Sequence, residues 1–142
     1  MVKEREEKLQ KLYIEFQVLN NHIKQLEKQN TVLENQLMEL MTTNQGLEDM
    51  KKVKSGTEIL VPLSSGIYAK AELKESDNFI VNVGSNIALS KNLDSTKKVI
   101  ENQINEIQKL QENFVQELQN NTAKAALLEQ EINKIASTLE NK

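Results

Sequence analysis

Val53 to Ser90 reads VKSGTEILVPLSSGIYAKAELKESDNFIVNVGSNIALS, and this stretch decides the fold because nothing else in the 142-residue chain resembles it. It holds three of the four glycines and the only proline. Its apolar residues recur with period 2, the spacing of a strand with one face turned inward. Thr57–Val61, Ile67–Leu73, Phe79–Val83 and Ile87–Leu89 are the four apolar or alternating runs. Between them lie Ser64-Ser65-Gly66, Glu75-Ser76-Asp77-Asn78 and Gly84-Ser85-Asn86, clusters of residues that favour turns. Four short strands joined this way predict two consecutive β-hairpins. Pro62 has no N–H for a ladder, so it belongs at an edge, a strand end or a bulge.

On either side the period changes to 3.5. Leu9, Leu12, Phe16, Leu19, Ile23, Leu26, Asn30, Leu33, Leu37, Leu40, Asn44 and Leu47 follow one another at alternating steps of 3 and 4. With Leu9 at a, every d position is leucine, the pattern of a coiled coil. Asn30 and Asn44 occupy a positions, where a polar residue fixes register at some cost in stability. Gly46 lies off this seam and is expected to weaken the helix by about 1 kcal/mol without ending it. A second seam runs through Ile100, Ile104, Ile107, Gln111, Phe114, Leu118, Asn121, Ala125, Leu128, Ile132, Ile135 and Leu139. Asn92 is its expected N-cap, with Asp94 in the first turn, where the helix dipole favours a carboxylate. Each helix is expected to run about 70–78 Å at 1.5 Å rise per residue.

Helix, two hairpins, helix, with helices of equal length, predicts that the chain folds back on itself. An antiparallel seam that matches a with d pairs residues whose numbers sum to roughly 144, so Leu40 is expected opposite Ile104 and Leu26 opposite Leu118. The expected organisation is a coiled-coil helix over 1–53, a double-hairpin head over 54–90 and a second coiled-coil helix over 91–142. The fold class is α+β and mostly α: a long antiparallel two-helix coiled coil joined by two β-hairpins, whose strands are expected to form a closed or stacked sheet shared between subunits.

Composition excludes much of chemistry. There is no cysteine, and His22 is the sole histidine, so neither a thiolate site nor a histidine-built zinc site is expected. The short serine and glycine clusters lack the lysine and flanking glycines of a phosphate loop or a nucleophile elbow. No catalytic residue, metal or cofactor is expected, and the chain is not expected to be an enzyme. Eighteen basic against twenty-one acidic residues give a net charge of -3, which offers no basic face for nucleic acid. No apolar run reaches the roughly 20 residues of a membrane span, and the first residues lack a secretory signal. No membrane partner is expected; a cytoplasmic location is.

Some forty residues of hairpin cannot bury both faces of their strands alone, and exposed edges recruit other chains. Ile59, Val61, Ile67, Tyr68, Leu73, Ile80, Val81, Val83, Ile87 and Leu89 are the expected assembly residues. At the other end, apolar residues stand off the seam as well as on it. Val2, Leu9, Leu12, Tyr13, Ile14, Leu127, Leu128, Ile132, Ile135 and Leu139 form a candidate binding tip. Scattered surface apolars are common, so an ordinary seam with a few stray hydrophobes is the bland alternative there.

Glu58-Ile59-Leu60-Val61-Pro62-Leu63, followed by Ser65-Gly66-Ile67-Tyr68-Ala69-Lys70-Ala71, resembles the alpha-type subunits of the prefoldin family, as does Ile80-Val81-Asn82-Val83-Gly84-Ser85. The resemblance spans essentially the whole chain and departs at Asn86, where glycine is expected. Asn tolerates positive φ better than most residues, so the turn is expected to survive. The resemblance implies two hairpins where beta-type subunits have one. It also implies assembly of two alpha with four beta subunits on a β-barrel platform. Coiled-coil tips would hold unfolded client polypeptides and pass them to a group II chaperonin without ATP hydrolysis. Two rivals compete with it. A structural coiled-coil rod or tether would pair each helix with a copy of itself. A nucleic-acid arm would need basic tips, yet residues 1–12 carry four basic and three acidic side chains.

Overall fold

The computed structural model describes residues 2–140. Six elements follow in order: α1 (Val2–Met50), β1 (Glu58–Ser64), β2 (Ile67–Glu72), β3 (Asn78–Asn82), β4 (Ala88–Asn92) and α2 (Leu93–Glu140). The chain divides into two compact units. Unit 1 comprises residues 1–35 and 107–142, and unit 2 comprises residues 36–106.

In unit 1 the two helix segments run antiparallel. Ile14 and Val18 share a groove with Leu127 and Glu131, and further along α1 Asn30 and Glu34 share one with Gln111 and Val115. Residue numbers therefore rise on one helix as they fall on the other, with sums close to the expected 144. Leu12, Leu26, Ala125 and Ile132 are the buried apolar residues of this unit. All twenty-four seam positions read from the heptads, in both units, are buried or half-buried. Asn30 and Asn44 sit on the seam with their side-chain Oδ1 atoms buried and without a hydrogen-bond partner. The Asn30 Nδ2 donates to Glu34 Oε1 at 3.4 Å.

In unit 2, α1 gives way after Met50 to tighter turns. The amides of Lys51, Lys52 and Val53 donate to the carbonyls of Glu48, Asp49 and Met50 at 3.1–3.2 Å. Glu48, at the end where α1 presents its negative dipole, is compensated by two cations. Lys51 Nζ lies 3.2 Å from its Oε2, and Lys97 of α2 bonds its Oε1. Asn92 caps α2 as expected: its Oδ1 accepts the Ser95 N–H at 2.8 Å, while Asp94 lies in the first turn.

The strands form two separate two-stranded antiparallel sheets, β1-β2 and β3-β4. β1 is longer than the run Thr57–Val61 suggests. It continues through Pro62, and the register shifts between Pro62↔Tyr68 and Ser64↔Ile67, leaving Leu63 as the extra residue of a bulge. Leu73 lies outside β2 yet extends the ladder, donating to Thr57 O at 3.0 Å while its carbonyl accepts from Gly56 at 2.6 Å. β4 is displaced from the expected Ile87–Leu89 to Ala88–Asn92. Ile87 is consumed by the turn, where its N–H donates to Gly84 O at 2.9 Å. In that turn Gly84, Ser85 and Asn86 all have positive φ, at 107°, 52° and 60°. Left-handed backbone at both Ser85 and Asn86 is what a primed hairpin turn requires. The Asn82 side chain supports it by accepting the Gly84 N–H at 3.0 Å.

Candidate functional site

Two surfaces gather apolar residues that the fold leaves exposed; others, among them Val32, Met38, Met41, Leu110 and Val115, lie elsewhere on the helices. The first is the pair of hairpins. In β1-β2, Ile59 pairs with Ala71 and Val61 with Ala69 on one face, while Leu60 opposite Lys70 and Pro62 opposite Tyr68 form the other. Ile59, Ala69 and Ala71 are half-buried, whereas Leu60, Val61, Leu63, Ile67 and Tyr68 are exposed. In β3-β4, Phe79↔Lys91 and Val81↔Leu89 share a face, and Ile80↔Ser90 lies on the reverse. Phe79, Val81 and Leu73 are half-buried; Ile80, Val83, Ile87 and Leu89 are exposed, Ile80 at 76%. Each hairpin thus has apolar residues on both faces, a pattern of strands covered on both sides. Leu60 and Leu63, exposed beside these residues, are absent from the expected set. Their signal in the sequence is hydrophobicity alone: Leu60 lies inside the run Thr57–Val61 and Leu63 just beyond Pro62.

The second surface is a groove of about 600 Å³ in unit 1, lined by Ile14, Glu15, Val18, Leu19 and His22 of α1 and by Lys124, Leu127, Leu128 and Glu131 of α2. Ile14, Val18 and Leu127 are 61–64% exposed. They occupy outer heptad positions, where a solvated coiled coil ordinarily places polar residues. Of the expected tip residues, the groove gathers Ile14, Leu127 and Leu128. Val2 and Tyr13 are exposed outside its lining, Leu9, Ile135 and Leu139 are half-buried on the seam, and Leu12 and Ile132 are buried in it. Val18 is not among the residues expected from the sequence. Its signal is the four-residue step from Ile14, which places both on one side of α1. His22 Nε2 lies 3.3 Å from Glu117 Oε1, an exposed pair beside the groove. A second, polar groove in the same unit is lined by Asn30, Glu34, Gln111, Glu112 and Gln119 among others.

Among the described residues no group of three His, Asp or Glu side chains is placed to hold a metal ion. No described helix is long and apolar enough to cross a membrane.

Two long helices paired antiparallel in unit 1, with two β-hairpins between them in sequence and apolar residues on both faces of each hairpin, define a hairpin-bearing coiled-coil subunit. The family model for prefoldin subunits matches residues 19–138. The chain belongs to the prefoldin family and is a chaperone subunit; the family is one of chaperones, not of enzymes. Its relatives carry the alpha designation, in keeping with the resemblance read from Glu58–Ala71. A prefoldin subunit alpha of Methanococcus vannielii is 25% identical over 134 residues, 94% of this chain and 90% of the relative. That of Thermococcus onnurineus is 34% identical over 104 residues, 72% of this chain and 71% of the relative. Among solved structures, a chain of filamentous PFD from Methanocaldococcus jannaschii superposes with a TM-score of 0.72. It is 22% identical and covers 80% of this chain and 93% of its own.

Proposed function

We propose that this subunit works by holding non-native polypeptide in a cytoplasmic hetero-oligomer and passing it to a group II chaperonin, with no catalysis or ATP hydrolysis of its own. In this reading two copies join four beta-type subunits. The hairpin residues of both sheets complete a shared β-barrel, and clients are gripped by the part of unit 1 that carries the chain ends. The observation that supports it most directly is the exposed apolar groove of Ile14, Val18 and Leu127. It is exposed apolar surface that an ordinary coiled coil would not carry, and it offers weak adhesion to the apolar residues a non-native chain exposes. Several such surfaces in one assembly would hold a client by avidity, with no single tight contact.

Co-expression with single-hairpin partners and native mass spectrometry tests the assembly. Deleting residues 1–22 and 124–142, which removes the groove together with the chain ends, is expected to leave that assembly intact and abolish suppression of aggregation of a denatured test protein. Undiminished protection by the truncated assembly would sink the client-binding role of these ends. The rival rod requires each helix to pair with a copy of itself, whereas the helices of unit 1 share grooves with one another.

A further inference from the structure

We propose that the groove between α1 and α2 in unit 1 selects client segments that are already helical, amphipathic and flanked by basic residues. This rests on the reading that the chain holds non-native polypeptide, and it names which conformations the groove takes.

The first reason is the backbone. Both walls of the groove are helices whose N–H and C=O groups are bonded within the helix, so there is no free strand edge to pair with an incoming chain. An extended segment lying on Ile14, Val18 and Leu127 would leave its own amides and carbonyls against apolar surface without partners, which is costly. A helix arrives with those groups satisfied and presents only side chains.

The second reason is spacing. Ile14 and Val18 stand four residues apart on α1, and Lys124, Leu127 and Glu131 fall at i, i+3 and i+7 on α2. Leu127, between the charged Lys124 and Glu131, faces the apolar pair Ile14 and Val18 across the valley, and a valley between two packed helices is the place where a third helix lays its own i, i+3, i+4, i+7 row. From Ile14 to His22 the groove runs eight residues, about 12 Å or two helical turns.

The third reason is charge. Glu15 and Glu131 stand on the rim against a single Lys124, while His22 is engaged by Glu117. The rim is net acidic, so lysine or arginine beside the apolar row of the incoming helix matches it.

The test uses the full-length chain in its assembly and a fluorescent peptide of about 18 residues, five turns of helix, with leucines at i, i+3, i+4, i+7 and lysines elsewhere. Two controls accompany it: the same peptide with two central prolines, and a version with glutamate in place of lysine. Anisotropy titration is expected to show the basic helical peptide binding at least about tenfold more tightly than either control. Val18→Lys and Leu127→Lys, which remove apolar surface and offset the acidic rim, are expected to weaken it by at least about tenfold. Both side chains are largely exposed, so helix content by circular dichroism is expected to stay unchanged. Ile14→Ser, which adds no charge, is the second variant should either lysine disturb the fold. Equal binding of the proline control, or wild-type binding by Val18→Lys, Leu127→Lys and Ile14→Ser, overturns the inference. Suppression of aggregation by the wild-type assembly is measured alongside. If the assembly suppresses aggregation while the peptides bind alike, only the groove inference fails; if it suppresses nothing, the holding function beneath it fails.

Discussion

Asn92 ends β4 and opens α2 with one side chain, its Oδ1 accepting the Ser95 backbone N–H at 2.8 Å. Its backbone carbonyl also accepts the Thr96 hydroxyl at 2.7 Å, and Thr96 is the one buried polar residue among those described. The change from a strand of period 2 to a helix of period 3.5 is therefore completed within a single residue.

That relationship makes a measurable demand. Asn92→Ala removes the cap and is expected to lower stability by about 1 kcal/mol, whereas Asn92→Asp and Asn92→Ser keep an acceptor and lose far less. Urea unfolding at fixed protein concentration compares the three. Equal loss in all of them would mean that the Ser95 hydrogen bond contributes nothing.

Two glycines respond in opposite directions to the same change. Gly46 lies within the last turns of α1, and a methyl group placed on its Cα would meet nothing within 4 Å, so Gly46→Ala is expected to stabilise by about 1 kcal/mol. Gly66, in the β1-β2 turn, has a φ of 81°, and Gly66→Ala is expected to destabilise by about 1–2 kcal/mol. Thermal unfolding midpoints of both variants that move the same way would contradict the argument.

How much of the fold is legible in the sequence depends on period. The 3-4 steps mark the seams because each of those residues ends up at least half-buried, and Asn86 adopts the left-handed turn that its side chain tolerates. β4 departs from its expected bounds because Ser90, Lys91 and Asn92 carry no apolar alternation; their strand pairing with Asn78–Ile80 is set by the turn that consumes Ile87. Val18 is illegible for another reason. An outer heptad position defaults to solvent, and its apolar neighbour Leu127 is distant in sequence, so the groove exists only once the two helices are laid side by side.

The buried oxygen of Asn30 makes it a register device with a cost. Its Oδ1 has no partner, and an unmade hydrogen bond of this kind costs about 1–3 kcal/mol. Asn30→Leu is therefore expected to raise stability by an amount in that range while loosening the choice of register. A chemical denaturation midpoint at or below that of the wild type would show that the Asn30 amide is satisfied in solution.

Register itself can be read by crosslinking. Leu26 is buried at the middle of the α1 seam, and Leu118 is half-buried on α2, lining a groove with Glu27. Their numbers sum to the expected 144. Leu26→Cys with Leu118→Cys is expected to form a disulfide within one chain under mild oxidation, which the wild type without cysteine cannot do. Mass spectrometry of the non-reduced protein distinguishes this from links between chains, and links only between chains would refute the antiparallel pairing. Combined with Asn30→Leu, the crosslink yield is expected to fall.

The hairpins allow assembly to be separated from folding. Ile80 is 76% exposed in the single chain and faces outward opposite Ser90, on the side of β3 that also carries Asn78 and Asn82. Ile80→Asp therefore removes almost no packing from the subunit itself, and helix content and unfolding of the isolated chain are expected to match the wild type. In a barrel shared with other subunits the same aspartate would be a charge buried without a partner, at a cost of several kcal/mol. Native mass spectrometry of the variant co-expressed with single-hairpin partners is expected to show free subunits where the wild type gives the complex. Ser90→Asp, on the facing strand, is the companion substitution and is expected to act in the same direction. Assembly of Ile80→Asp at wild-type affinity would move the shared interface to the opposite face, where Phe79 and Val81 lie beside Leu89.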